Sequence, residues 1–230
     1  TKLCLEKRAA AVVTAPLCKE SVEKTVPGFQ GHTEFIGEMC GDSRPVLCLV
    51  HKDWVVAHVS THVSLREACD RAKKERILKT ATLLNDFLIR YKKVKTPCLG
   101  IAGLNPHAGE GGLFGTEEIE EIIPAIRELK KKKIKADGPF PGDVIFPKLR
   151  SGAFDGVVAM YHDQGHIVTK TLLFQLGQVK KTGGVNTTLG LPVIRTSVDH
   201  GTGFDIAWQG IADANSLKDA LELAECLALD

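Results

Sequence analysis

Short apolar runs alternating with longer helical patterns constrain this chain more than any other feature. The stretches "AAVVTA" (10–15), "PVLCLV" (45–50), "WVVAHVS" (54–60), "PCLGIAG" (97–103) and "GVVAMY" (156–161) have strand length, and several are apolar at successive positions. That is the pattern of strands buried on both faces. Between them, "SLREACDRAKKERILKTATLLNDFLIRY" (64–91) places apolar residues at mostly helical spacing, with Ser64 and Glu67 forming a capping box at its start. A second helix opens at Thr116 and is expected to bury Ile119, Ile122, Ile123, Ile126 and Leu129, with a kink at Pro124. A third spans 215–229. The alternation predicts an α/β fold with a mostly parallel sheet flanked by helices. No repeat, linker or clean domain boundary divides 1–230, which reads as a single α/β region.

The net charge of +2 leaves no strong field for nucleic acid or an acidic membrane. The one basic run, Lys130–Lys133, falls at a helix C-terminus, where cations complement the macrodipole. Seven cysteines is an odd number and none form a C-x-x-C pair, which predicts free thiols in a reducing compartment. No apolar run reaches the roughly 18 residues of a membrane span. With no signal peptide visible, the expectation is a cytoplasmic protein.

The chemistry-bearing groups cluster where strands end. His62 follows the run at 54–60, His107 sits in the Gly-rich "GLNPHAGEGG" (103–112), and His162 in "MYHDQG" (160–165). In open α/β sheets ligands bind at the carboxyl ends of strands, so three imidazoles from three such loops form a candidate divalent-metal site. A strand-end histidine can equally be a hydrogen-bonded structural residue. His51 and His58 lack the loop context and read as ordinary strand or turn residues. "GFQGHTEF" (28–35) presents His32 and Thr33 beside a glycine, and Lys19 opens the element after "TAPLCK". Lys170, Asn186 and Arg195 are groups of the kind that grip a phosphate or carboxylate. "DHGTGFDIAWQGIADANS" (199–216) suits a loop around the adenosine half of a nucleotide, with Asp205 or Asp213 as acceptors, although neither G-x-G-x-x-G nor a P-loop is present. A three-His zinc hydrolase is disfavoured, because no H-E-x-x-H frame supplies a general base.

The stretches "TAPLCK", "GHTEF", "THVSLRE", "GLNPHAGEGG", "GTEEIEEIIPAI", "AMYHDQGH" and "GVNTTLGLPVIRTSVDHGT" occur in the order found in the 4-hydroxythreonine-4-phosphate dehydrogenase family, which the chain resembles from about residue 10 onward. The resemblance implies an isocitrate/isopropylmalate dehydrogenase-like fold and homodimers with a shared active site. It also implies NAD(P)-dependent oxidation of a four-carbon phosphorylated hydroxy acid, followed by loss of CO2. It matches His62, His107 and His162 to the ligands of a divalent metal (Zn, Co or Mg), and His32, Thr33, Lys170, Asn186 and Arg195 to substrate contacts. Asp143 and Asp163 match carboxylates near the substrate, with Lys19 a possible proton-transfer group. His200, Gly201, Thr202, Asp205 and Asp213 fall in the cofactor loop.

His166 stands where the vitamin B6 enzymes of that family carry an apolar residue. This is more like the paralogues acting on D-threonate or D-erythronate 4-phosphate. Three departures stand out. A family-like Gly-rich opening is missing, with about a hundred N-terminal residues apparently absent. The segment 171–184 is longer than expected, and Trp208 replaces a small residue in the adenosine loop. These departures leave open a truncated homologue that dimerises, or binds metal or phosphate, without turnover.

Overall fold

The computed structural model describes residues 1–29, 31–41, 44–52, 54–173 and 184–229. Along the chain run α1 (Lys2–Leu5), β1 (Ala11–Thr14), α2 (Lys19–Glu23), α3 (His32–Met39), β2 (Val46–His51), β3 (Trp54–His58), α4 (Leu65–Arg71), α5 (Lys74–Lys92) and β4 (Cys98–Ala102). There follow α6 (Ile123–Lys131), β5 (Lys135–Phe140), α7 (Gly142–Arg150), β6 (Gly156–Ala159), α8 (His162–Leu173), β7 (Val185–Leu189), β8 (Ile194–Val198) and α9 (Asn215–Ala228). The fold is α/β with mostly parallel pairing, as the alternation predicts. The chain forms two compact units, Thr1–Leu47 with Leu173–Asp230, and Cys48–Leu172.

In the second unit β3, β6, β4 and β5 run parallel to one another, while β2 pairs antiparallel with β3. Val56, Ala102, Ile145, Phe146, Leu149, Phe154, Val157 and Ala159 pack as one core cluster between strands and α7. Each fully buried large side chain of this kind contributes about 1.5–3 kcal/mol. Gly100 is glycine because the Phe154 ring occupies the space of its Cβ, at 2.7 Å. In the first unit β1 pairs parallel and β7 antiparallel with β8. Helix α9 covers them with Ala220, Leu223, Ala224 and Leu227.

Three local expectations need correction. The stretch 64–91 is two helices broken at Ala72–Lys73, although Ser64 does accept from the Glu67 amide at 3.2 Å. The second start is held from outside the helix: Glu121 accepts from the Lys74 amide at 2.8 Å, and Arg76 Nε donates to the Val59 carbonyl at 2.9 Å. The helix after Thr116 begins as a π-turn over Glu118–Ile122, which leaves Ile119 49% exposed. Pro124 lies in the first turn of α6, where its missing N–H costs little. The sequence around His162 is no loop, because His162 opens α8. All seven cysteines are free thiols. Among the described residues no helix is long and apolar enough to cross a membrane.

Candidate functional site

Backbone pairing continues past the strand ends and carries the histidine loops with it. Beyond β3 and β6, the Val59 amide donates to the Ala159 carbonyl at 2.9 Å and the Ser60 hydroxyl to the Met160 carbonyl at 3.1 Å. The next residues, Thr61–His62 and Tyr161–His162, are therefore neighbours, and the His62 and His162 ring centres lie 5.7 Å apart. The Gln164 amide ties α8 to two strand ends. Its Oε1 accepts from the Met160 amide at 2.7 Å, and its Nε2 donates to the Gly103 carbonyl at 2.8 Å.

The loop after β4 reverses the handedness of the backbone. His107, Ala108, Gly109, Glu110 and Gly111 have φ of 53°, 53°, 81°, 43° and 66°. Left-handed geometry costs about 1–2 kcal/mol for each residue bearing a Cβ, so something must hold it. Glu118 does so from the π-turn: its Oε1 accepts from the Leu104 and Asn105 amides at 2.7 and 2.8 Å, and its Oε2 from Asn105 Nδ2 at 2.9 Å.

Behind His162 stands a column of imidazoles. His166 lies 3.7 Å from it, centre to centre and 9° from parallel, and His58 lies 4.7 Å beyond His166. His166 Nδ1 also meets the His162 carbonyl at 2.9 Å. Burial pulls the His166 pKa down to about 4, with the neighbouring His162 adding to the effect. His58, expected to be an ordinary strand residue, is fully buried. Asp163 is exposed and places Oδ1 2.6 Å from His162 Nδ1, the carboxylate–imidazole pairing that orients a ligand ring.

Two cavities open here, of about 480 and 470 Å³. His62 and His162 line the first, His107 and Asp143 the second, and Tyr161 with Asp163 lines both. The donors fit a divalent cation in kind, being exposed (His62, His107) or half-buried (His162) imidazoles with carboxylates beside them. Among the described residues, however, no group of three or more His, Cys, Asp or Glu side chains in one chain sits close enough to hold a cation. The His62–His162 pair is brought together; His107 faces the adjoining cavity. Lys170 lies farther along α8, where its charge acts on His166.

The first unit holds a buried guanidinium. Arg195 on β8 is 4% exposed, and its guanidinium donates to Thr14 Oγ1 at 2.9 Å, Thr188 Oγ1 at 3.2 Å and Thr33 Oγ1 at 3.4 Å. Arg195 Nε is buried without a partner, as is Asn186 Oδ1. Hydroxyls orient the fork without neutralising it, and no carboxylate among the described residues is hydrogen-bonded to it. Burial lowers the Arg195 pKa to about 10, against the opposing field of Glu34. His32 is pushed below the usual imidazole range by burial and then by Arg195, which keeps it neutral near pH 7. Lys19 Nζ lies 3.6 Å from where a Cβ on Gly31 would sit, so Lys19 flanks the same segment.

A third cavity, of about 470 Å³, lies within the first unit against Gly184, His200, Gly201, Thr202 and Asp213. Its glycines leave the backbone open to close approach by a ligand. Asp205 is not among its lining residues, and Asp213 accepts from the Asn215 amide at 2.7 Å as a cap on α9. Trp208, expected to crowd this space, is fully exposed at its lip. The expectation of an overlong 171–184 segment falls mostly on residues 174–183, outside the described ones.

Residues 1–224 match the family described as pyridoxal phosphate biosynthetic protein PdxA. The chain belongs to this family. A Bradyrhizobium diazoefficiens relative is 50% identical to this PdxA-family chain over 225 residues, 96% of the chain and 65% of the relative. The D-threonate 4-phosphate dehydrogenase of Pectobacterium atrosepticum is 41% identical over 99% of the chain and 68% of its own length. The 4-hydroxythreonine-4-phosphate dehydrogenase of Desulforapulum autotrophicum is 41% identical over 96% and 63%. The chain thus spans about two-thirds of the length of the curated relatives it matches. The crystal structure of 4-hydroxythreonine-4-phosphate dehydrogenase from Klebsiella pneumoniae superposes with a TM-score of 0.82 at 41% identity, covering 99% of this chain and 67% of that one. A β-decarboxylating dehydrogenase from Thermococcus kodakarensis (TM-score 0.55, 13% identity, 99% of this chain and 68% of that one) shares the fold alone, in line with the isocitrate/isopropylmalate-like architecture expected.

Sequence reasoning missed Thr14 and Thr188, which hold Arg195, and Gln164, which joins two strand ends. It also missed Glu118, whose stretch "TEEIEE" reads as a solvated helix face. Only Thr14 carried a signal, as a polar position inside the otherwise apolar run at 10–15.

Proposed function

We propose that the protein catalyses metal-dependent, NAD(P)-linked oxidation of the secondary hydroxyl of a four-carbon 4-phosphorylated hydroxy acid, with loss of CO2 from the resulting β-keto acid. The observation that carries this reading is Arg195, a buried guanidinium oriented by three hydroxyls, with no carboxylate among the described residues hydrogen-bonded to it. Such a group is set for a dianionic phosphate, which it can grip through its planar fork. His32, Thr33 and Asn186 of the same unit would add polar contacts to the substrate, and Lys170, in the other unit, is matched to a substrate contact by the family resemblance.

His62, His107 and His162 would hold the divalent ion (Zn, Co or Mg), with Asp163 orienting His162 and Asp143 near the hydroxy-acid end. When bound, the metal acts as a Lewis acid that acidifies the hydroxyl and steadies the charge left by CO2. Lys19 is the candidate acceptor for a substrate proton, and His200, Gly201, Thr202 and Asp213, with Asp205 in the same loop, would hold the adenosine half of a dinucleotide whose nicotinamide would supply the hydride acceptor. A second copy of the chain would complete a shared site; among the described residues one chain gathers no group of three donors. His166 favours 4-phospho-D-threonate or 4-phospho-D-erythronate over 4-phosphohydroxy-L-threonine. The seven free thiols suit a cytoplasmic setting.

Nicotinamide absorbance with these three substrates, with and without Zn²⁺ or Mg²⁺, tests the proposal. Metal-dependent reduction of NAD⁺ or NADP⁺ by one of them supports it. Silence with all three, from a dimer that still binds phosphate, favours a homologue that binds without turnover. Among the described residues no three-donor group forms within one chain, which is compatible with that second reading as well.

A further inference from the structure

The loop that carries His107 rests on a carboxylate that no substrate or metal role calls for. Glu118 is 2% exposed, and its two oxygens accept three N–H groups from Leu104 and Asn105, the residues that lead directly into the left-handed turn. Asn105 Nδ2 is shared with Glu117 Oε2 at 2.6 Å, so two successive side chains of one turn grip one amide. The loop wraps closely on this carboxylate. A Cβ on Gly109 would stand 2.7 Å from Glu118 Oε2, and one on Gly103 would stand 3.2 Å from Oε1. No Lys, Arg or His among the described residues is within ion-pair distance of it. All three of the hydrogen bonds it accepts come from backbone and amide donors of a single loop. A buried carboxylate is costly unless its hydrogen bonds are all made, and here they are made to the segment with the strained backbone.

We infer that Glu118 is a positioning residue: it pins the left-handed turn at 107–111 so that the His107 ring stands on the cavity wall beside Asp143 and Asp163. The consequence for metal binding rests on the proposed reading of His107 as a ligand; the placement of the ring does not. The π-turn at Glu118–Ile122 fits this role, because it holds Glu118 under the loop while Glu121, one turn on, accepts from the Lys74 amide.

The test compares the full-length protein with Glu118→Gln, which keeps the shape but turns one acceptor into a donor facing Asn105 Nδ2. Leu129→Ala, a cavity in α6 on the same stretch of chain, serves as the control for lost stability. Cobalt titration followed by visible absorption, and the ring signals of ¹⁵N-labelled histidine, are read on each. Glu118→Gln should weaken Co²⁺ binding by about tenfold or more, the range typical of groups that orient a ligand, and should shift the His107 ring signals. Leu129→Ala should lower the melting temperature without either effect. Wild-type cobalt affinity and unmoved His107 signals in Glu118→Gln would overturn the inference, as would equal cobalt losses in Leu129→Ala. If His107→Ala binds cobalt like wild type, the reading of His107 as a ligand fails, and the ring signals alone decide the role of Glu118. Should Glu118→Gln not fold, Asn105→Ser carries the same expectation with a smaller loss, and no change in its His107 signals overturns the inference.

Discussion

The His166 imidazole lies flat against that of His162, ring centres 3.7 Å apart and planes 9° from parallel. A ring so placed restricts rotation of its neighbour, and the His162 ring centre lies 5.7 Å from that of His62.

The same burial makes His166 a titrating liability. Its folded pKa is about 4, lowered by burial first and by His162 second, with Lys170 and His62 adding to it. The unfolded chain takes up this proton near pH 6.5, so folding is unpenalised above that value and loses stability as pH falls from 6.5 toward 4. In metal-free protein the loss should approach about 3 kcal/mol at pH 4. Urea midpoints across that range should fall less steeply for His166→Phe. An identical acid slope in both proteins would remove His166 as the cause.

Gly165 faces His58 so closely that a Cβ there would collide with His58 Nε2. Gly165→Ala should destabilise the protein by about 1–3 kcal/mol, the usual cost of overpacking. Part of that loss should disappear in a His58→Ala background. Equal penalties in both backgrounds, measured by chemical denaturation, would mean that the two residues do not press on each other.

Arg195 is the proposed anion-binding group that another cation replaces least well. Arg195→Lys keeps the charge but loses the fork held by Thr14, Thr33 and Thr188. Calorimetric binding of the phosphorylated substrate should weaken by about 2 kcal/mol, the value of a charge-assisted hydrogen bond lost. Binding of the unphosphorylated acid should be unchanged. Equal losses for both compounds would place the phosphate elsewhere.

How legible all this was in the sequence depended on what stabilises each part. The runs at 45–50, 54–60, 97–103 and 156–161 were readable because apolar burial alone makes them strands. Strands β7 and β8, "VNTTL" and "IRTSV", were not, because their buried threonines are satisfied by distant partners: Thr187 Oγ1 by the Arg195 carbonyl, Thr196 Oγ1 by that of Ala220. Helix α8 was hidden by Gly165, and the break at Ala72–Lys73 by its dependence on Glu121. The histidines at the strand ends stood out by position. What orients them did not, since Glu118 and His166 act through contacts that no local pattern encodes.

The central claim is that His62, His107 and His162 serve one cation, completed by a second copy of the chain. Anomalous diffraction from crystals of the protein grown with Co²⁺ and 4-phospho-D-threonate addresses it directly. The account predicts one cobalt per site, with a nitrogen of each of the three rings about 2.1 Å away. A cobalt held without His107, or no cobalt near His62 and His162, would contradict it.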